Sequence, residues 1–224
     1  MILIICHSYD MEAIALHQQL IKDKQQSTII FIEALFSEYK LNYQSSIYRT
    51  TFELIHIENQ IQIQSKQIKI FINRVSNIQY PFTESDQAYA NQELFALWCS
   101  LISSLECTVL NKPDCISFFG FGYSQMELEC IILKSGFELA NDFSFHNNGK
   151  PLYECTHLHV LENAINTDDI AANKLMQLAN LIQLSNFEIA LNNESKIKCI
   201  SALPKYSNAY KFYLQEFNKI KMAS

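Results

Sequence analysis

Glycine is nearly missing from this chain: four residues among 224, Gly120, Gly122, Gly136 and Gly149, where average usage is about 7 %. Loops that wrap phosphates depend on glycine, because backbone amides must approach the ligand closely and often at positive φ. No GxxxxGK[ST] segment occurs, which excludes a P-loop enzyme. Long basic runs are lacking too, and the net charge is −6, so neither nucleic acid nor a membrane surface is an expected partner. The N-terminal apolar run Ile2-Leu3-Ile4-Ile5 is a core strand, far short of the ~20 residues of a membrane span. The seven cysteines, Cys6, Cys99, Cys107, Cys115, Cys130, Cys155 and Cys199, are odd in number, widely spaced and without a CxxC pair. With no signal peptide expected, they read as reduced, mostly buried thiols of a cytoplasmic protein. Repeats, low-complexity segments and linkers are absent as well.

What is present is a packable chain: 49 % of the residues are apolar and 12 % aromatic, enough for one large domain or two small lobes. Ile2 to Cys6 reads as a strand and His7 to Asp10 as the turn capping a helix, in which Ala13, Ile14, Leu16 and Leu20 recur at helical spacing. Thr28 to Ile32 is β-rich. Phe52 to Ile57 and Ile61 to Ile63 flank a turn at Glu58-Asn59 and predict a hairpin, followed by a strand over Ile68 to Ile72. A long helix is predicted from about Asp86 to Leu105, with Leu94, Leu97, Trp98, Leu101 and Leu105 on one face. Then come strands at Thr108 to Leu110 and Cys115 to Phe119, a glycine turn, and a helix from Ser124 to Lys134 that Gly136 terminates. Leu152 to Val160 alternates as a strand does, and Asp168 to Ile182 is helical behind Thr167 as N-cap. Strands at Phe187 to Leu191 and Ile197 to Ile200, and a helix from Asn208 to Ile220, complete a mixed α/β sheet with flanking helices.

The strand ending Phe71-Ile72-Asn73-Arg74, the long helix with Glu93 and Trp98, the strand Val109-Leu110-Asn111 before Pro113, and the helix leading into Gly136-Phe137 lie in one order between about Ile68 and Asn147. Each piece is common; their order and spacing resemble the ATP-grasp superfamily, especially the peptide-modifying and amino-acid ligases with an N-terminal pre-ATP-grasp domain. The resemblance implies a pre-ATP-grasp-like α/β domain over 1–113 and a reduced ATP-grasp-like remnant over 114–224. Such enzymes hold ATP between two lobes, with lysines and a glycine-containing loop on the phosphates. Acidic residues on two successive strands hold magnesium, a hard ion that takes oxygen ligands and neutralises charge in phosphoryl transfer. The chain is short for the usual nucleotide lobes. On the resemblance, Ala190 stands at the place of the Asp, Cys199 at that of the Glu or Asp, and Ser201 at that of the following Asn. Gln125 stands near the place of a helix-start lysine.

Three other patterns carry chemistry. Gly120-Phe121-Gly122-Tyr123-Ser124-Gln125 reads GxGxxQ, a dinucleotide fingerprint without its third glycine, or simply a strand-to-helix turn. Cys155, His157 and His159 alternate and would share one face of a strand. Two histidines at i and i+2 can share a zinc, but Cys155 lies about 13 Å along the strand from His159 at ~3.3 Å per residue, so the bland reading is a polar sheet face. Cys6-His7 with Asp10 suggests a nucleophile and base, yet adjacent strand residues point to opposite faces, which favours a buried Cys6 and a capping Asp10. Arg74, at a strand end beside Asn73, suits a carboxylate or phosphate, or an ion pair between elements. Asn73, Arg74 and Asn111 are the candidate ligand-binding residues; the catalytic residues stay unassigned.

The expectation is therefore a non-catalytic ATP-grasp-like protein without a cofactor. It would serve as partner subunit or peptide-binding scaffold of a peptide-modifying system, with a peptide, a full-length ATP-grasp ligase or a second copy as partner. The alternatives are a small enzyme reusing the fold, metal-dependent through Cys155, His157 and His159, or a nucleotide-cofactor protein through Gly120 and Gly122. Self-association would use Tyr210, Phe212, Tyr213 and Phe217 of the last helix and the turn Phe118-Phe119-Gly120-Phe121, unless these pack inside.

Overall fold

Five consecutive apolar residues form β1 (Ile2–Cys6), buried throughout, the pattern of a strand covered on both faces in a parallel sheet. The computed structural model describes residues 1–45, 50–78, 84–114, 116–120, 122–145, 155–167, 171–207 and 209–223. They belong to two units, Met1–Gly120 with Phe217–Ser224, and Phe121–Glu216. No described helix is long and apolar enough to cross a membrane.

In the first unit, Asp10 accepts the Ala13 N–H at 3.1 Å and caps α1 (Met11–Lys22), which buries Ala13, Leu16 and Leu20. Next come β2 (Ser27–Phe31), the single turn α2 (Ile32–Leu35), β3 (Tyr39–Ser45), β4 (Thr50–His56) and β5 (Gln62–Gln64). A 3-10 turn at Ser65–Gln67 leads to β6 (Ile70–Arg74), α3 (Glu84–Ser103) and β7 (Thr108–Leu110). All pairs of the four-stranded sheet β2-β1-β6-β7 are parallel. The sheet β3-β4-β5 is antiparallel and contains the hairpin expected around Glu58-Asn59. Leu3, Ile5 and Phe71 of the parallel sheet meet Phe52, Leu54 and Ile63 of the antiparallel one, with Trp98 and Leu101 of α3, in one apolar cluster. Burying side chains of this size contributes about 1.5–3 kcal/mol each.

The second unit contains α4 (Gln125–Lys134), β8 (Leu139–Phe145), β9 (Thr156–Leu161), β10 (Ala164–Asn166), α5 (Ala171–Ile182), β11 (Asn186–Leu191) and β12 (Ile197–Ser201). The helix α6 (Tyr210–Ala223) follows. The sheet order is β10-β9-β11-β12-β8, antiparallel except for the β12–β8 pair. Ser124 and Glu127 form a reciprocal capping box at the start of α4. At its end, the Gly136 N–H returns to the Leu133 carbonyl at 3.0 Å with φ +83°, half of a Schellman closure. A methyl group at Gly136 would meet nothing nearer than Lys174 Cε at 3.8 Å, so only the left-handed backbone opposes a side chain there. Gly136→Ala should therefore lower stability by about 1–2 kcal/mol, read as a fall in the urea midpoint at unchanged slope.

Several expectations need correction. Residues 116–119 are not a strand: Asp114 closes a turn, its Oδ1 accepting from Ile116 N at 2.8 Å and Ser117 N at 2.7 Å. A short acidic side chain offers the backbone partners that compete with a ladder. Cys115 lies outside the described residues. The GxGxxQ segment thus follows a turn, not a strand. Cys155 precedes β9 instead of belonging to it. β3, β8 and β10 are additional strands. Residues 152–154 and 168–170, with the start of the helix that Thr167 was to cap, lie outside the described residues, as do Phe121, Gly149 and Asn208.

Candidate functional site

At the carboxyl end of β6, the candidate residues Asn73 and Asn111 meet, whereas Arg74 reaches Asp10 instead. Asn73 is fully buried and donates through Nδ2 to the carbonyls of Asn111 at 2.8 Å and Phe118 at 2.5 Å. Asn111, at the end of β7, is 1 % exposed with φ +60°, a conformation asparagine tolerates better than most residues. Arg74 is 4 % exposed and holds Asp10 with two donors, Nε to Oδ2 at 2.6 Å and Nη2 to Oδ1 at 3.2 Å. Its fork therefore ties β6 to the cap of α1. Cys6 is buried beside this pair. Burial, then the charge of Asp10, pushes its thiol up to about 12, so it is no nucleophile near neutral pH.

In the second unit, register builds a second polar surface. Ala190 of β11 is paired with His157 of β9 on one side and Cys199 of β12 on the other. Glu188, two residues earlier, is likewise paired with His159 and Ser201. Two rows, His157–Ala190–Cys199 and His159–Glu188–Ser201, thus cross one face of the sheet. Glu188 is the centre of that face and is not among the residues expected there. Its side chain is 7 % exposed. Oε1 is hydrogen-bonded by His157 Nδ1, Oε2 accepts the Lys205 backbone N–H at 2.6 Å, and His159 Nδ1 stands 3.9 Å from Oε2. Burial by itself pushes the Glu188 carboxyl up; the His157 hydrogen bond, the His159 charge and the Lys205 N–H outweigh it and hold the group below the ordinary glutamate range. Tyr213 stacks edge-on against His159, with ring centroids 6.0 Å apart. A glutamate between apolar neighbours in Phe187-Glu188-Ile189-Ala190-Leu191 was the available signal, since buried acids need partners.

The ATP-grasp resemblance implies magnesium and a nucleotide, and the positions it assigns can be tested for fit. Ala190 and Cys199 face each other across the strand pair and are 2 % and 3 % exposed, but they offer a methyl and a thiol. Burial, then the charges of Glu188 and Cys155, pushes the Cys199 thiol up to about 11. Ser201 Oγ is engaged with Leu203, donating to its carbonyl at 3.2 Å and accepting its N–H at 3.1 Å. Magnesium demands hard oxygen ligands in octahedral array, and this set does not supply them. Among the described residues, no group of three or more His, Cys, Asp and Glu side chains is placed to hold a metal ion.

Of the aromatic residues expected to form a contact surface, Phe119, Tyr213 and Phe217 are buried, whereas Phe118, Tyr210 and Phe212 are half-buried. Phe119, Tyr213 and Phe217 are 9 %, 0 % and 2 % exposed, and Phe118 packs edge-on against Phe95 at 4.7 Å. Tyr213 is held there by its hydroxyl, which donates to Asn186 Oδ1 at 3.0 Å, so burial leaves its polar end satisfied.

No family model and no curated protein sequence matches the chain. Solved structures do. An ATP-grasp ligase of Chryseobacterium gregarium associated with RiPP peptides, in complex with ADP and a leader and core peptide, aligns with TM-score 0.62 at 13 % identity, over 92 % of this chain and 90 % of that one. The macrocyclase MdnC of Microcystis aeruginosa, bound with precursor peptide MdnA, gives 0.64 at 8 % identity over 91 % and 92 %. The ligase PsnB, complexed with minimal precursor, Mg and ADP, gives 0.61 at 10 % over 92 % and 90 %.

Proposed function

From the fold it shares with ATP-grasp ligases that modify peptides, we propose that this chain serves a peptide-modification system by binding and does not use ATP. One observation carries the reading: the facing positions Ala190 and Cys199 hold no carboxylate, and the neighbouring acid, Glu188, is already engaged by His157, His159 and Lys205. Freeing Glu188 for a metal would strip the His157 imidazole and the Lys205 backbone amide of their acceptor and move the charge that stands 3.9 Å from His159. Similarly, a ligand at Asn73, Arg74 and Asn111 would have to displace the internal bonds that occupy them.

The partner we propose is a precursor peptide or a full-length ligase. The sheet β3-β4-β5 supports the peptide arm, because it carries a recess of about 650 Å³ lined in part by Asn42, Glu53 and Gln64. These three are paired across the strands, with Asn42 Nδ2 3.4 Å and Gln64 Nε2 3.0 Å from the Glu53 carboxylate. The edge strand β3 adds main-chain groups of the kind an extended peptide uses. A homodimer belongs to the proposal as well, through surfaces other than Tyr213 and Phe217, and a monomer by light scattering at micromolar concentration removes it.

The decisive test is calorimetric. Mg-ATP should show no saturable binding below about 1 mM, a threshold near −4 kcal/mol; saturation in that range overturns the reading. A precursor peptide or ligase encoded beside this gene should form a stable complex with the purified chain, and failure of both to bind removes the partner role.

A further inference from the structure

The order β2-β1-β6-β7 reverses direction between β1 and β6, and loops leaving the carboxyl ends of strands at such a switch point part to form a crevice. Cys6 and Arg74, the last residues of these two strands, are register partners. His7 follows the first of them, and Ser76 lies two residues past the second. From β1, His7 reaches Glu33 of α2, its Nδ1 2.9 Å from Oε1. Its Nε2 lies 3.2 Å from Ser76 Oγ and 3.3 Å from Ser76 N. These partners fix the tautomer. Burial pushes the Glu33 carboxyl up, but hydrogen bonds from its own backbone, from His7 and from Ser8 N–H outweigh that and hold it below the ordinary range. An ionised carboxylate only accepts, so Nδ1 carries the proton; the Ser76 N–H only donates, so Nε2 is bare. The His7 side chain is 7 % exposed, and its ring is stacked on Tyr9 with centroids 4.8 Å apart and planes 12° apart. Ser76 is exposed.

We propose that Ser76, His7 and Glu33 form a nucleophile–base–carboxylate set that hydrolyses carboxylic esters of short apolar acids. A serine hydroxyl on the bare nitrogen of an imidazole, whose other N–H meets a carboxylate, is the arrangement that makes serine nucleophilic, whatever the fold. Ser76 Oγ bonds to the acyl carbon as its proton passes to His7 Nε2. The C–O bond to the leaving alcohol then breaks, and the alcohol departs with that proton. Water attacks the acyl-serine, giving its proton to His7 and a bond to the acyl carbon; Ser76 takes the proton back as the acid leaves. The net change is ester plus water to acid plus alcohol, with nothing else consumed. Glu33 takes no part in bond making and acts through His7, as a positioning residue.

The substrate class follows from the adjoining pocket of about 240 Å³. Ile32, Phe36 and Ile78 wall it, with His7, Glu33 and Asn77, the residue after Ser76, on the polar side. That volume lies below the ~300 Å³ at which drug-sized ligands begin to fit and well above the ~30 Å³ of a water molecule, so it suits a short acyl chain. No residue of this set belongs to the strand pair that the nucleotide reading concerns. The activity stands or falls independently of the binding role.

The test is to treat the purified full chain with an alkyl fluorophosphonate, in which Ser76 Oγ bonds to phosphorus and fluoride leaves. The adduct is then located by peptide mass, and p-nitrophenyl butyrate hydrolysis is followed in parallel. Wild type should carry the label on Ser76, and Ser76→Ala should lose both label and hydrolysis. Glu33→Gln, at a half-exposed position, should fold normally and lose at least ~100-fold in kcat with little change in KM, while Glu33→Asp recovers part of it. Loss of a merely structural contact would not produce that split. Absence of label on Ser76 in the folded wild-type chain overturns the proposal. So does hydrolysis that persists in Ser76→Ala, or is unchanged in Glu33→Gln.

Discussion

Arg74→Ala should destabilise the first unit by about 3–5 kcal/mol, the range for removing one partner of a buried ion pair. In a chain of this length that is a fall of roughly 6–20 °C in Tm. The reason lies in what would be left behind. Asp10, with a side chain 13 % exposed, would keep the Ala13 N–H but lose both guanidinium donors, leaving a nearly buried carboxylate without its counter-charge. Arg74→Lys should recover only part, since an ammonium cannot reproduce the two-donor fork. Asp10→Ser preserves an N-cap oxygen and removes the charge, so the double variant Arg74→Met with Asp10→Ser should be more stable than Arg74→Ala alone. Thermal melts followed by circular dichroism read all four proteins. A fall of less than about 1 kcal/mol for Arg74→Ala would place the pair among weak surface contacts.

Glu188→Ala should have an effect of similar size, about 3–5 kcal/mol on the second unit, because His157 and the Lys205 N–H lose an acceptor inside the sheet layer. Glu188→Gln, which keeps an acceptor oxygen but not the charge, should cost less. The pH dependence has a definite sign. A carboxyl held below its ordinary value in the folded state contributes stability that is complete above the unfolded value, about pH 4.3 for glutamate, and is lost as pH falls through the folded value. Wild type should therefore lose stability on acidification below about pH 4.3 more steeply than Glu188→Gln. Denaturant midpoints between pH 3 and 6 decide it: parallel curves would mean that Glu188 is not held ionised by its neighbours.

The local patterns were legible where one residue determines its own surroundings. Asp10 is an N-cap because a short acid precedes an amphipathic run, and Gly136 ends α4 because only glycine enters positive φ freely. The hairpin at β4 and β5 shows in alternation and a polar turn. β3 was missed, although Tyr39, Leu41 and Tyr43 alternate there against Lys40, Asn42 and Gln44. The strand expected over Cys115 to Phe119 fails for the opposite reason: its residues suit a strand, but the Asp114 side chain captures the backbone first. The resemblance to ATP-grasp ligases was carried by the order of elements, and the solved ligases share this fold at only 8–13 % identity.

By itself, then, the sequence determined the α/β class, the alternation of strands and helices, the caps, the lack of a GxxxxGK[ST] motif and the absence of carboxylates at the strand pair Ala190 and Cys199. Each of these depends on residue type and near neighbours along the chain. Tertiary structure alone decided what the lone polar residues do. His7 lies 26 residues from Glu33 and 69 from Ser76; His157 lies 31 from Glu188; Arg74 lies 64 from Asp10. No periodicity encodes such pairs. They arise when parallel strands bring distant loops to one edge and when register sets residues of three strands in a row, and register is chosen by burial of the apolar positions between them.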